Sequence, residues 1–161
     1  MVPMIFRRVP WRWPAFVAIC LLVVVPLGAQ DEEPPEWAVQ APLAAKSLLL
    51  DVASVDGISV AVGSRGHILL SEDQGQTWSQ AEVPTRSGLN AVHFHDRNLG
   101  WAVGHDGVIV RTEDGGVTWE RVYWAPEDEN PLMDVWFKNA DEGFAIGAYG
   151  AFFETFDGGS T

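Results

Sequence analysis

Three stretches of the chain align with one another without a gap, and this internal repeat limits the possible folds more than any other feature. They are residues 61–78 (AVGSRGHILLSEDQGQTW), 102–119 (AVGHDGVIVRTEDGGVTW) and 145–161 (AIGAYGAFFETFDGGST), offset by 41 and 43 residues. Upstream, residues 89–104 (LNAVHFHDRNLGWAVG) match 132–147 (LMDVWFKNADEGFAIG), again offset by 43, and residues 49–63 are the same unit one residue shorter.

Each unit reads as four short strands. In the second unit the spacing predicts strands at residues 91–95, 100–103, 108–111 and 117–122, rich in Val, Ile, Phe and Trp and separated by Gly, Asp and Asn. After residue 29 no stretch carries a helical period of useful length. Four strands in a unit of about 40–45 residues is the blade of a β-propeller, so the expected fold is all-β, with blades over residues 48–84, 89–126 and 132–161. Rings of this kind close with about 4–8 blades. Three units, the last without its fourth strand, therefore read as an N-terminal fragment expected to aggregate or fold poorly when made alone.

Two sets of turn residues recur. Gly63, Gly104 and Gly147 end the second strand, and Gly66, Gly107 and Gly150 follow three residues later. This bracket predicts a tight turn needing positive φ or close backbone approach. The next turn carries [Ser/Thr]-x-Asp-x-Gly-x-Thr-Trp, as Ser71–Asp73–Gly75–Thr77–Trp78 and Thr112–Asp114–Gly116–Thr118–Trp119. The third copy is Thr155–Asp157–Gly159–Thr161. A short Asp side chain and a Ser or Thr hydroxyl can accept hydrogen bonds from the amides of their own turn, Gly takes the left-handed position, and the closing Trp buries about 150–250 Å². The motif therefore reads as a structural staple. Calcium is the rival, but a cage needs several carboxylates around one ion, and these aspartates belong to separate blades; no metal or cofactor is expected.

The first 30 residues read as an address. Arg7, Arg8 and Arg12 precede an apolar run over residues 15–27 (AFVAICLLVVVPL), too short for the roughly 20 residues of a bilayer-spanning helix, and cleavage is expected after Ala29. Cys20 sits inside the apolar run with Ile19 before it, which does not fit a lipoprotein signal, and Val9-Pro10-Trp11 after Arg7–Arg8 does not fit a twin-arginine signal. Secretion across the inner membrane into the periplasm is the expectation, with residues 30–44 an acidic, proline-containing linker. Removal of the signal also removes the only cysteine, excluding disulfides and thiol chemistry from the mature chain.

From Asp31 onward 22 acidic residues face 7 basic ones, a net charge of −15. Nothing in such a balance neutralises phosphates, so nucleic acid and direct docking on an anionic membrane surface are both disfavoured.

The motif SEDQGQTW, TEDGGVTW and TFDGGST resembles the Asp-box, or bacterial neuraminidase repeat. The longer pattern, Leu-x-x-Val-x-Phe, then Gly-Trp-Ala-Val-Gly, then Gly-x-Ile-x-x-Thr-x-Asp-Gly-Gly-x-Thr-Trp, resembles the photosystem II assembly and stability factor family over residues 48–161. That resemblance implies a seven-bladed propeller without catalytic activity, assisting assembly of a membrane-embedded complex in a thylakoid lumen, or in the periplasm for relatives outside photosynthesis. It implies a protein partner, itself part of a membrane complex. The photosynthetic members carry an arginine patch on one face, to which this sequence offers no residue-by-residue match.

Other chemistries place their own demands on the residues. A sialidase-like glycoside hydrolase needs three converging arginines, a tyrosine nucleophile with its glutamate and an acid/base aspartate. Here Arg65, Arg86, Arg97, Arg111 and Arg121 are scattered, and only Tyr123 and Tyr149 are available. His93 and His95 share one side of a strand and, with His105, could offer three imidazoles to zinc; ordinary surface histidines are the simpler reading. A propeller that binds carbohydrate or peptide without turnover remains open. The acidic connection beginning at Tyr123–Trp124 and running through Glu127, Asp128 and Glu129 is the candidate partner face, because binding residues concentrate on loops.

Overall fold

The computed structural model describes residues 34–160. The expected export signal, Cys20 and Thr161 lie outside the described residues. Eleven strands are seen among the described residues, with only three-residue 3-10 turns between them. The first blade holds β1 (Leu49–Val55), β2 (Ile58–Gly63), β3 (Ile68–Ser71) and β4 (Ser79–Gln80). The second holds β5 (Leu89–Phe94), β6 (Gly100–Gly104), β7 (Ile109–Thr112) and β8 (Glu120–Tyr123). The third holds β9 (Leu132–Phe137), β10 (Gly143–Gly147) and β11 (Phe152–Thr155). Each blade is an antiparallel meander in chain order, four-stranded in the first two and three-stranded in the third. Among the described residues no helix is long and apolar enough to cross a membrane.

The outer strand begins later than its Val-rich sequence suggests. Residues 117–119 belong to the motif turn, because Asp114 holds both the amide and the hydroxyl of Thr118, and pairing with β7 starts only at Glu120. The same logic shortens β4 to two residues, since Asp73 holds Thr77.

Blades stack through their faces. β2 and β6 are buried almost throughout, whereas β10 alternates buried and exposed. Alternate residues of a strand point to opposite faces, so a strand buried at every position is covered on both sides. In β6, Ala102 joins the cluster shared with Val60, Val62 and Phe94, while Trp101 and Val103 join the cluster shared with Leu132, Val135 and Phe137 of the third blade. Hydrogen bonds cross the same seams: Val92 N–H donates to Asp51 Oδ2 (2.9 Å), and Asn90 Nδ2 donates to the Leu132 carbonyl (2.7 Å).

The free face of the first blade is covered by the segment expected to be a linker. Over residues 36–41 this segment runs antiparallel to residues 80–86, with Ala38 N–H donating to the Val83 carbonyl at 2.9 Å and Arg86 reaching the Trp37 carbonyl and Glu36. Ala44 then packs on Ala61 and Leu69. Small residues at 38, 41 and 44 let the backbone lie close to the sheet.

Candidate functional site

The [Ser/Thr]-x-Asp-x-Gly-x-Thr-Trp turns are built the same way in the first two blades. Ser71 Oγ donates to Asp73 Oδ1 (2.9 Å) and accepts from Gly75 N–H (2.8 Å). Asp73 in turn takes the Thr77 amide (2.8 Å) and hydroxyl (2.6 Å), and the Trp78 indole N–H closes on the Gly75 carbonyl (3.0 Å). Thr112, Asp114, Gly116, Thr118 and Trp119 repeat these contacts within 0.2 Å. In the third blade Thr155 Oγ1 donates to Asp157 Oδ1 (2.8 Å), which accepts from the Gly159 and Ser160 amides. These contacts occupy the carboxylates within their own turns. Thr77's hydroxyl, then its amide, then Ser71's hydroxyl hold the Asp73 pKa down at about 2. Burial pushes Asp114 upward, but the Thr118 hydroxyl and amide together with Thr112 outweigh it and its pKa is lowered.

The left-handed backbone of these turns spans two residues rather than one. Gln74 (φ 61°) precedes Gly75 (φ 84°), and the second and third copies use Gly115–Gly116 and Gly158–Gly159.

The opposite end of the strands is the better candidate for binding. The β2–β3, β6–β7 and β10–β11 turns hang from the segment leading into each blade: Ser64, His105 and Ala148 donate their amides to the carbonyls of Leu48, Gly88 and Pro131. Gly63, Gly104 and Gly147 are required there by close approach, since a Cβ would strike those same carbonyls. The tips have positive φ at two successive residues, Arg65–Gly66, Asp106–Gly107 and Tyr149–Gly150, as in the type I′ turn of a twisted hairpin. The first residue of each pair stands at equivalent places along this end. Arg65 and Tyr149 are exposed, and Asp106 accepts from Ser87 Oγ at 2.6 Å. Sequence reasoning passed over this row. Its signal was a changing residue in front of a recurrent glycine.

The acidic connection lies at the same end. Pro126–Asp128 form a 3-10 turn, Glu129 adopts φ 49°, and Glu127, Asp128 and Glu129 are all exposed. Its aromatic neighbours are not presented with them. Tyr123 packs on Phe153 of the third blade (centroids 5.0 Å), and burial, then Asp128 and Glu127, raise its pKa. Trp124 is half-buried against the core shared by the first two blades, with the Arg121 guanidinium 4.4 Å above its ring. Between the connection and the third blade lies a cleft of about 270 Å³ bordered by Gly107, Tyr123, Asp128, Asn130 and Phe152.

The other candidate constellations are dispersed. His93 sits beside Trp136 and Phe137, His95 adjoins Leu99 at one end of β5, and His105 adjoins Gly88 at the other. Arg97 pairs with Glu72 and the Asp56 carbonyl, Arg111 with Glu113 and Glu120, and Arg86 with Glu36. Among the described residues no three His, Cys, Asp or Glu side chains are grouped to hold a metal.

Antiparallel sheets, four-stranded in the first two blades and three-stranded in the third, stapled by the repeated aspartate turns and stacked face to face, define this chain as a set of β-propeller blades. The chain belongs to the photosynthesis system II assembly factor YCF48 family, whose model matches residues 29–128. A solved structure described as YCF48 bound to D1 peptide is similar to it at 26% identity and a TM-score of 0.64, over 83% of this chain and 44% of that one. YCF48 from Cyanidioschyzon merolae is similar at 25% identity and a TM-score of 0.61, over 78% of this chain and 41% of that one. The chain thus spans less than half the length of these structures. No curated protein matches the chain.

Proposed function

We propose that this chain acts outside the cytoplasm as a non-catalytic scaffold, holding a peptide segment of a membrane-protein subunit on the turn-rich end of its blades during assembly of the complex. The observation that carries the reading is the similarity, across most of this chain, to YCF48 bound to D1 peptide. The local chemistry favours a peptide: exposed Arg65 and Tyr149, the partly exposed Asp106 and the acidic triplet Glu127–Glu129 offer donors, acceptors and an aromatic plane along one end of the blades, where Asp128 also borders the cleft. Exposed acidic groups on a chain of net charge −15 after residue 30 select for a basic or neutral peptide over an acidic one. The run of apolar residues at 15–27 behind three arginines supports export.

The test is a titration of fluorescently labelled D1 peptide with the chain, followed by anisotropy. Binding that weakens at least tenfold in the Glu127→Gln/Asp128→Asn/Glu129→Gln variant supports the acidic connection as the contact face. Equal binding by this variant and the parent removes the connection from the site. Complete lack of binding by both, with the chains shown by circular dichroism to be folded, sinks the peptide-holding reading for this chain.

A further inference from the structure

The step Asp-Gly occurs four times in the chain, at 56–57, 106–107, 114–115 and 157–158. Here the main-chain nitrogen after the aspartate is least shielded from the carboxyl group, because glycine sets no side chain beside it. The fold ties down three of the four steps. Asp114 is held by the Thr112 hydroxyl and by both donors of Thr118, and the Gly115 N–H donates to the Asn98 carbonyl at 2.9 Å. Asp157 is held by the Thr155 hydroxyl, and the Gly158 N–H donates to the Asp141 carbonyl at 2.9 Å. Asp106 accepts from Ser87 Oγ at 2.6 Å, and Gly107 is buried.

Asp56–Gly57 is held differently. These residues are the two-residue turn of the β1–β2 hairpin, between the paired Val55 and Ile58, with φ of 44° and 88°. Both are exposed, and among the described residues neither the Asp56 carboxylate nor the Gly57 N–H has a hydrogen-bond partner. The equivalent turns of the second and third blades are longer, and there Asp96 and Asn139 each tie down two amides. Exposure belongs to the turn itself, since the second blade, flanked by a blade on either side, exposes Asp96, Arg97 and Asn98 at the same place. Across the seam, the Asp56 carbonyl oxygen accepts from Arg97 Nη1 at 2.8 Å.

We infer that Asp56–Gly57 is a site of covalent modification, where aspartate is converted to isoaspartate through a succinimide. The Gly57 nitrogen bonds to Asp56 Cγ and loses its proton, the carboxyl group loses its hydroxyl, and one water leaves. Water then cleaves either bond from that nitrogen to a ring carbonyl. Cleavage at Cγ restores aspartate, whereas cleavage at the main-chain carbonyl carbon leaves the chain running through Cγ. Water is the only co-reactant. In the product the carbonyl that Arg97 faces has become a carboxylate, and the former side-chain carboxylate has become the peptide link. Net charge is unchanged, but the negative charge has moved to the seam between the first two blades. The turn also gains one main-chain carbon, which the tight pairing of Val55 with Ile58 does not accommodate. The inference does not rest on the proposed function, because this turn lies at the opposite end of the strands from the hairpin tips.

The experiment incubates the 161-residue chain, shown by circular dichroism to be folded, in heavy-oxygen water at neutral pH, beside a second sample in urea. A protease that cuts before aspartate but not before isoaspartate maps the product, and mass spectrometry locates the incorporated oxygen. Isoaspartate that appears at 56 at least tenfold faster than at 106 and 114 in the folded chain, with the three rates converging in urea, supports the site. Equal rates at the three steps of the folded chain overturn it, as does accumulation at 106 or 114 ahead of 56. Isoaspartate at 56 that forms in urea but not in the folded chain overturns it as well. The Gly57→Asn chain checks the chemistry, because asparagine tolerates the left-handed turn while its side chain shields the attacking nitrogen. The rate at 56 is expected to fall at least fivefold in that chain, and an unchanged rate overturns the succinimide route.

Discussion

Trp101 of the second blade donates its indole N–H to the carbonyl of Gly158 in the third, 2.9 Å away, while its ring stacks on Phe137 at 3.4 Å between centroids. The side chain is fully buried. One residue thus ties the middle strand of one blade to both the inner strand and the aspartate turn of the next.

Replacing Trp101 therefore separates two contributions. Trp101→Ala removes the ring and leaves a cavity at the seam, and is expected to cost about 3–5 kcal/mol. Trp101→Phe keeps most of the stacking but leaves the Gly158 carbonyl without its buried donor, an expected loss of about 1–3 kcal/mol. Urea unfolding followed by tryptophan fluorescence and by circular dichroism measures both. A loss under about 1 kcal/mol for Trp101→Ala, well short of the cost of a buried cavity, would falsify the tie.

Asp51 and Asp134 occupy equivalent places on β1 and β9, and each accepts from the amide of the next residue at 2.8 Å. Asp51 additionally accepts from Val92 across the seam. Asp51→Ala should thus be the more damaging of the two by about 1–3 kcal/mol, the penalty for stranding a part-buried N–H. Equal effects in paired denaturation curves would assign the stabilisation to the local bond alone.

Glycines that look alike in the sequence should tolerate alanine very differently. At Gly104 a Cβ runs into the Gly88 carbonyl, so Gly104→Ala is expected to cost about 3 kcal/mol or more. At Gly107 the nearest atoms, on Tyr123 and Ala125, stand at an ordinary contact distance of 3.5 Å or more and mainly the positive φ of 63° opposes the change, for about 1–2 kcal/mol. Thermal melts of the two variants rank them directly.

Acid should weaken the fold through the turn aspartates Asp73 and Asp114. The folded pKa of Asp73 lies at about 2, below the ordinary value of 3.8, and that of Asp114 is also lowered. A carboxyl depressed on folding contributes stability that is complete above its unfolded pKa and is lost as pH falls through the folded value. The window for Asp73 runs from about pH 4 down to about pH 2. Urea midpoints followed from about pH 5 down to about pH 2.5 are expected to fall over that interval, and the fall should be shallower in Asp73→Asn/Asp114→Asn. Identical slopes in parent and variant would mean that other carboxylates drive acid unfolding.

What was legible in the sequence was what is local. The staple of Ser71, Asp73, Thr77 and Trp78 closes within eight residues, and the paired glycines mark their turn within four, so residue spacing alone located them. The seams were not legible. Trp101 and Gly158 are 57 positions apart, and Asp51 and Val92 are 41 apart; no pattern of either segment announces its partner. The docking of Ala38 and Ala44 was hidden in a stretch whose composition reads as linker, because small residues are equally suited to a loose chain and to one pressed on a sheet. Within the candidate partner face, sequence grouped five residues that the fold divides. The carboxylates of Glu127, Asp128 and Glu129 reach solvent, while the rings of Tyr123 and Trp124 turn inward because the neighbouring blades offer them apolar surface.

The hairpin tips hold a cation at 65, an anion at 106 and a phenol at 149 on nearly superimposable backbone, with φ of 60°, 58° and 55°. Glycine behind and the anchoring amide in front set that shape without calling on the side chains of Arg65 and Tyr149, while Asp106 also ties its turn to Ser87. This end of the molecule sets a different side chain on the same backbone shape in each blade, so single substitutions at 65 or 149 change its surface chemistry without touching what holds the turns up.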